Sequence, residues 1–123
     1  MLYAILCYDT EGTVCAWTEE EEAAVMARLG AVQDKLARQR RLGPVARLAP
    51  TSAATTVRKG RDTLVTDGPF AETKEQLLGF FIVDCANRAE AIETARELGR
   101  ASGTSGCYEV RPLSLFRPGD AAA

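Results

Sequence analysis

Leu77-Leu78-Gly79-Phe80-Phe81-Ile82-Val83 is apolar throughout apart from one glycine. A strand with one wet face alternates apolar with polar residues, so a run apolar at both alternating sets of positions reads as a strand covered on both sides. Leu2-Tyr3-Ala4-Ile5-Leu6-Cys7-Tyr8 has the same character. Two such strands need cover above and below their sheet, and that demand decides the fold.

Immediately before Leu77 comes a corner, Thr66-Asp67-Gly68-Pro69-Phe70-Ala71-Glu72-Thr73-Lys74-Glu75. Gly68-Pro69 breaks the extended chain, because proline fixes φ and has no N–H to donate. Asp67 is placed to accept backbone N–H groups in an Asx-type turn. Thr73 with Gln76 three residues on has capping-box spacing, which predicts a helical turn opening at Lys74 with a weak anion site at its N–H groups. Further back, Ala54–Arg58 and Asp62–Thr66 flank Lys59-Gly60-Arg61 and predict a hairpin. Val45 to Leu48 reads as a short strand.

Two segments have helical spacing. Thr18 with Glu21 forms a capping box, Val25, Leu29, Val32 and Leu36 make the apolar stripe with Met26 widening it, and arginines to Arg41 suit the C-terminal dipole. Gly43-Pro44 is expected to stop this helix. Asn87 caps the second helix with Glu90 three residues on, its core side is Ala91, Ile92, Ala95 and Leu98, and Gly99 is its expected end. The stretch from Asp9 through Val14 reads as a loop. Cys107-Tyr108-Glu109-Val110-Arg111 alternates as a half-exposed edge strand does. The domain is expected to span residues 1–116, with a disordered tail over 117–123.

The order strand, helix, strand, hairpin, strand, helix, strand suits an antiparallel α+β sheet. Two amphipathic helices cover one face of it. A bare second face bearing Leu, Ile and Phe would be a patch that monomers avoid, so a second copy packed sheet against sheet is the expected cover, giving a homodimer.

Composition sets bounds. The chain has 123 residues, 46% hydrophobic and 26% charged, with a net charge of −2. That fits an ordinary globular domain and gives no basic surface for direct nucleic-acid binding. No apolar run approaches the roughly 20 residues of a membrane span. With no basic segment before the first apolar run there is no signal peptide to read, and the cytoplasm is the expected location. The chain has no histidine, which removes Ser-His and Cys-His nucleophile pairs and ordinary Cys/His zinc sites. The four cysteines form no Cys-x-x-Cys pair. Cys7, Cys85 and Cys107 are expected as buried thiols and Cys15 as exposed. No cofactor is expected, and any general base must be Asp, Glu, Lys, Tyr or Cys.

The ten residues Thr66 to Glu75 resemble the motif of the DGPF-domain group within the YCII-related superfamily of small bacterial proteins, and the order of elements to about Leu115 is similar too. The resemblance implies a ferredoxin-like antiparallel sheet with two main helices on one face, pairing as a dimeric α/β barrel. Many relatives are described with a histidine in the first helix and an aspartate in the loop before the last strand, as an acid–base dyad. This chain has no histidine in the helix from Thr18 to Arg41 and no acid in the loop from Arg100 to Gly106, so that chemistry does not carry over.

Asp67 becomes the leading candidate. Turn chemistry alone accounts for Asp67 and Gly68; the functional reading places Asp67, Phe70, Glu72 and Lys74 around a cleft, with Tyr8, Asp9 and Trp17 approaching from the end of the first strand. The favoured function is a small-molecule-binding module with a cleft near Asp67. The alternatives are a cofactor-independent isomerase or lyase using Asp67 as general base with Lys74 stabilising an anion or enolate, and, from the resemblance, a partner of sigma-factor-type proteins.

Overall fold

The apolar stripes set the layers. In the computed structural model, which describes residues 1–121, a 20-residue helix α2 (Glu19–Arg38) buries Val25, Leu29, Val32 and Leu36. Its N-terminus is the expected capping box: Thr18 accepts from the Glu21 N–H at 3.1 Å, and the Glu21 carboxylate accepts from the Thr18 N–H. A second long helix, α3 (Arg88–Ser102), starts at Asn87, whose side chain accepts from the Glu90 N–H at 2.9 Å. It runs through Gly99 and ends at Gly103, at a φ of 69°. Its core side is Ala91, Thr94, Ala95 and Leu98, with Ile92 only half-buried.

Both helices pack on a four-stranded antiparallel sheet of order β2-β5-β1-β6, made of β1 (Leu2–Asp9), β2 (Leu42–Arg47), β5 (Gln76–Asp84) and β6 (Cys107–Pro112). Residues directly opposite across a ladder share a face. Tyr3 with Val83 and Ile5 with Phe81 face the helices and are buried in one core with Leu36 and Leu98. On the other face Ala4 pairs with Ile82 and Leu6 with Phe80; Leu6 and Phe80 stay half-exposed. Arg41 closes the structure beyond α2: its guanidinium donates to Thr94 Oγ1 (2.7 Å) and the Asp84 carbonyl (3.1 Å) and pairs with Glu90. Gly43 and Pro44, expected as the helix stop, lie inside β2.

The hairpin forms as β3 (Thr55–Arg58) and β4 (Leu64–Asp67), a separate two-stranded sheet. Further expectations need correction. The stretch after Asp9 is a short helix, α1 (Glu11–Cys15), and not a loop. Its Glu11 carboxylate accepts from the Thr51 N–H at 2.8 Å and from the Thr51 hydroxyl, a tether to a 3₁₀ turn (Thr51–Ala53) forty residues away that sequence spacing cannot reveal. No helical turn opens at Lys74: the Thr73 hydroxyl donates to the Glu75 carbonyl, the Gln76 amide donates to the Ala71 and Thr73 carbonyls, and Gln76 already belongs to β5. Cys107 is exposed because its edge strand has one open face; Cys85 is buried, Cys7 half-buried and Cys15 exposed. Residues 117–121 are exposed and carry no helix or strand, and the rest of the expected tail, Ala122 and Ala123, lies outside the described residues. Among the described residues no helix is long and apolar enough to cross a membrane.

Candidate functional site

A cleft of about 180 Å³ lies between α2 and the helix-facing side of the sheet, at the end where β1 stops. Strand alternation puts Cys7 and Asp9 on the same side as Tyr3 and Ile5, and both line it. The β1–β5 register shifts between Cys7 and Tyr8, an irregularity of the kind that re-aims side chains at sites. Helix α2 contributes Val25, Met26, Leu29 and Gln33, and the chain around α1 brings Val14 and Trp17 over the opening. Most of the lining is apolar.

Asp9, Cys7, Ser102 and Tyr108 bring polar groups into this lining. Asp9 is only 3% exposed, and its Oδ1 accepts from the Thr10 N–H at 2.7 Å. Gly106, just before β6, lets the chain come this close: a Cβ there would sit 2.7 Å from Asp9 Cγ and closer still to the Tyr8 carbonyl oxygen. Tyr108 packs its ring edge-on to Phe81, with centroids 6.2 Å apart, and its hydroxyl lies beside Cys7 and Ser102. Burial pushes the Tyr108 phenol well above the usual tyrosine value, and the neighbouring Cys7 adds to the rise. Burial likewise raises the Cys7 thiol, with the Asp9 charge as the next cause. Both groups therefore stay protonated at neutral pH. At the mouth, Arg47 of β2 pairs with Glu22 of α2 at 2.7 Å. A second hollow of about 60 Å³ adjoins it, lined by Glu11, Cys15 and Pro50 and sharing Val14, Arg47 and Leu78 with the cleft. Among the described residues no three His, Cys, Asp or Glu side chains group as a metal site.

The sequence candidates fall in two places. Asp9 and Trp17 line the cleft. Asp67, Phe70, Glu72 and Lys74 do not; all four are exposed on the corner after β4, and Phe70 is 78% exposed. The Asp67 carboxylate accepts no hydrogen bond among the described residues; the corner is held by the Gly68 N–H on the Ala54 carbonyl (2.7 Å) and the Thr56 hydroxyl on the Gly68 carbonyl (2.8 Å). Tyr8 is also outside the cleft, its hydroxyl donating to Glu109 Oε1 at 3.4 Å. Sequence reasoning gave Cys7 no role beyond packing and gave Gln33, Arg47 and Tyr108 none. Strand alternation from Tyr3 and Ile5 would have found Cys7 and pointed to Asp9 as the central acid; Gln33, seven residues beyond Met26 on the same helix edge, was also legible.

Fold and site together define a small antiparallel α+β domain with a helix–sheet cleft and a buried acid in its lining. The chain belongs to the YCII-related domain family, whose model matches residues 1–117. It is 55% identical over 121 residues to an uncharacterized protein of Rhizobium meliloti (strain 1021), covering 98% of each chain.

Proposed function

We propose that this chain is a small-molecule-binding module that holds its ligand in the cleft between α2 and the sheet, with Asp9 as the polar anchor. The cleft itself carries the reading: an apolar hollow with few converging polar groups is the usual form of a ligand site. The strand order β2-β5-β1-β6 suits a ferredoxin-like subunit, and half-exposed Leu6 and Phe80 suit a sheet-to-sheet homodimer paired as a dimeric α/β barrel. A two-stranded hairpin is marginal alone, and exposed Val57, Leu64 and Val65 on β3 and β4 favour the same pairing. In a dimer the corner with Asp67, Phe70, Glu72 and Lys74 would stand at the subunit boundary, where it contributes to ligand contact only through assembly.

A thermal-shift screen of single-ring and short-chain metabolites tests the site when run beside Val45→Phe. Val45 lines the cleft yet is 40% exposed on β2, so a larger side chain narrows the opening without disturbing the core. A ligand at a hundred times its Kd should stabilise the wild type by about 2.7 kcal/mol, and the variant much less. Equal stabilisation of both proteins would put the site elsewhere. A second reading, cofactor-independent isomerase or lyase chemistry, is favoured by one observation: Asp9 is a buried carboxylate that lines the cleft, where a general base must stand. Turnover lost in Asp9→Asn with ligand binding retained would establish it.

A further inference from the structure

We propose that the ligand of the cleft is a hydrophobic primary amine of arylalkyl size, its ammonium group bound by the Asp9 carboxylate. This rests on the cleft being a binding site and adds the chemistry of its occupant.

Charge bookkeeping in the cleft leads there. Its lining contains two charged side chains, Asp9 and Arg47. Arg47 is already neutralised by Glu22 at 2.7 Å, and both members of that pair are about half exposed to water at the mouth. Among the described residues Asp9 has no such partner. An ionised carboxylate has about four acceptor positions, and among the described residues Asp9 fills one, with the Thr10 N–H on Oδ1. No wholly buried polar side-chain atom among the described residues lacks a partner. The second oxygen of Asp9, with no partner among the described residues, therefore keeps some accessible surface, on a residue that is only 3% exposed and lines the cleft. A carboxylate in apolar surroundings calls for a cation or strong donors.

The neighbours do not supply them. The Tyr108 hydroxyl lies with Cys7 and Ser102, and the Asp9 charge bears on both Cys7 and Tyr108 as a cause that raises them. An anionic ligand would have to displace Glu22 from Arg47 at the mouth while facing Asp9 within. A neutral ligand would leave the acid without its cation. An amine meets the need directly, three N–H donors and one positive charge on a small head group. The rest of the molecule follows from the walls. A dry cavity of about 150 Å³ takes one benzene ring, so a cleft of about 180 Å³ between Trp17, Leu29 and Phe81 suits one ring and a short chain.

Three probes of matched length separate the possibilities: phenethylamine, phenethyl alcohol and hydrocinnamate, each titrated against the full chain. Fluorescence of Trp17, the single tryptophan and a cleft residue, reports binding, with melting temperature as a second readout. The amine should bind about tenfold or more tightly than the alcohol, the margin of a hydrogen bond to a charged group over the same contact without charge. The carboxylate should bind weakest. In Asp9→Asn the gap between amine and alcohol should shrink to about threefold or less; the wild-type ranking alone decides the question if that variant does not fold. Alcohol or carboxylate binding as well as the amine overturns the amine assignment and leaves the cleft standing as a site. All three probes failing to move either signal overturns both.

Discussion

Replacing Gly106 by alanine should strike the site and the fold together. The added Cβ would lie 2.7 Å from Asp9 Cγ, 2.9 Å from Asp9 Cβ, and nearer still to the Tyr8 carbonyl oxygen. The carbonyl belongs to β1, which is paired on both sides, with β5 and with β6, so it has little freedom to retreat. Overpacking against such a frame costs about 1–3 kcal/mol. For a chain of this length that corresponds to a drop in melting temperature of roughly 4–15 °C. Gly30→Ala is the matched control. Gly30 sits inside α2 and a Cβ there meets no atom within 4 Å, so the same chemical change should stabilise by about 0.5–1 kcal/mol through helix propensity alone. Differential scanning calorimetry of the two variants reads opposite shifts from one substitution type. Gly106→Ala melting within about 2 °C of the wild type would refute the packing described for the end of β1, and Gly30→Ala melting lower would contradict the open space around that turn of α2.

Two further outcomes concern pH. Glu11 is held below the usual carboxylate range by the Thr51 hydroxyl and N–H; a depressed acid stabilises the fold above its unfolded value of about 4.3, and that contribution fades as pH falls through the lower folded value. Glu11→Gln should flatten the acid limb of a melting-temperature profile, and an unchanged limb would mean that the tether of α1 contributes nothing. Tyr108 and Cys7 are raised, so their contribution is complete below the ordinary values of about 8.5 for cysteine and about 10 for tyrosine and is lost as pH rises beyond them. Tyr108→Phe should remove the later part of the alkaline loss and leave the part due to Cys7, as ultraviolet absorbance of tyrosinate during the same titration would report.

What the sequence revealed was what local chemistry determines. Thr18 with Glu21 and Asn87 with Glu90 cap their helices over three residues, and the doubly apolar runs of β1 and β5 are central strands. Distant contacts account for the departures. Helix α3 runs past Gly99 to Gly103 because its last turn is held from elsewhere: Arg28 of α2 donates to the Ala101 carbonyl at 2.7 Å. Helix α1 has no apolar period of its own, and Glu11 ties it to Thr51. At the corner, the Asp67-Gly68 pair signalled a side-chain-tied turn, whereas backbone and Thr56 bonds hold it and leave the carboxylate free. The cleft was the least legible feature, since it is the space left where α2, α1 and four strands meet.

The most direct measurement is an amide chemical-shift map of the isotope-labelled chain, titrated with any small molecule that raises its melting temperature. Binding in the cleft should move Cys7, Asp9, Trp17, Leu29, Phe81 and Tyr108, which surround it or line its inner end. Shifts confined to the corner from Asp67 to Lys74, with those six residues unmoved, would contradict the placement of the site.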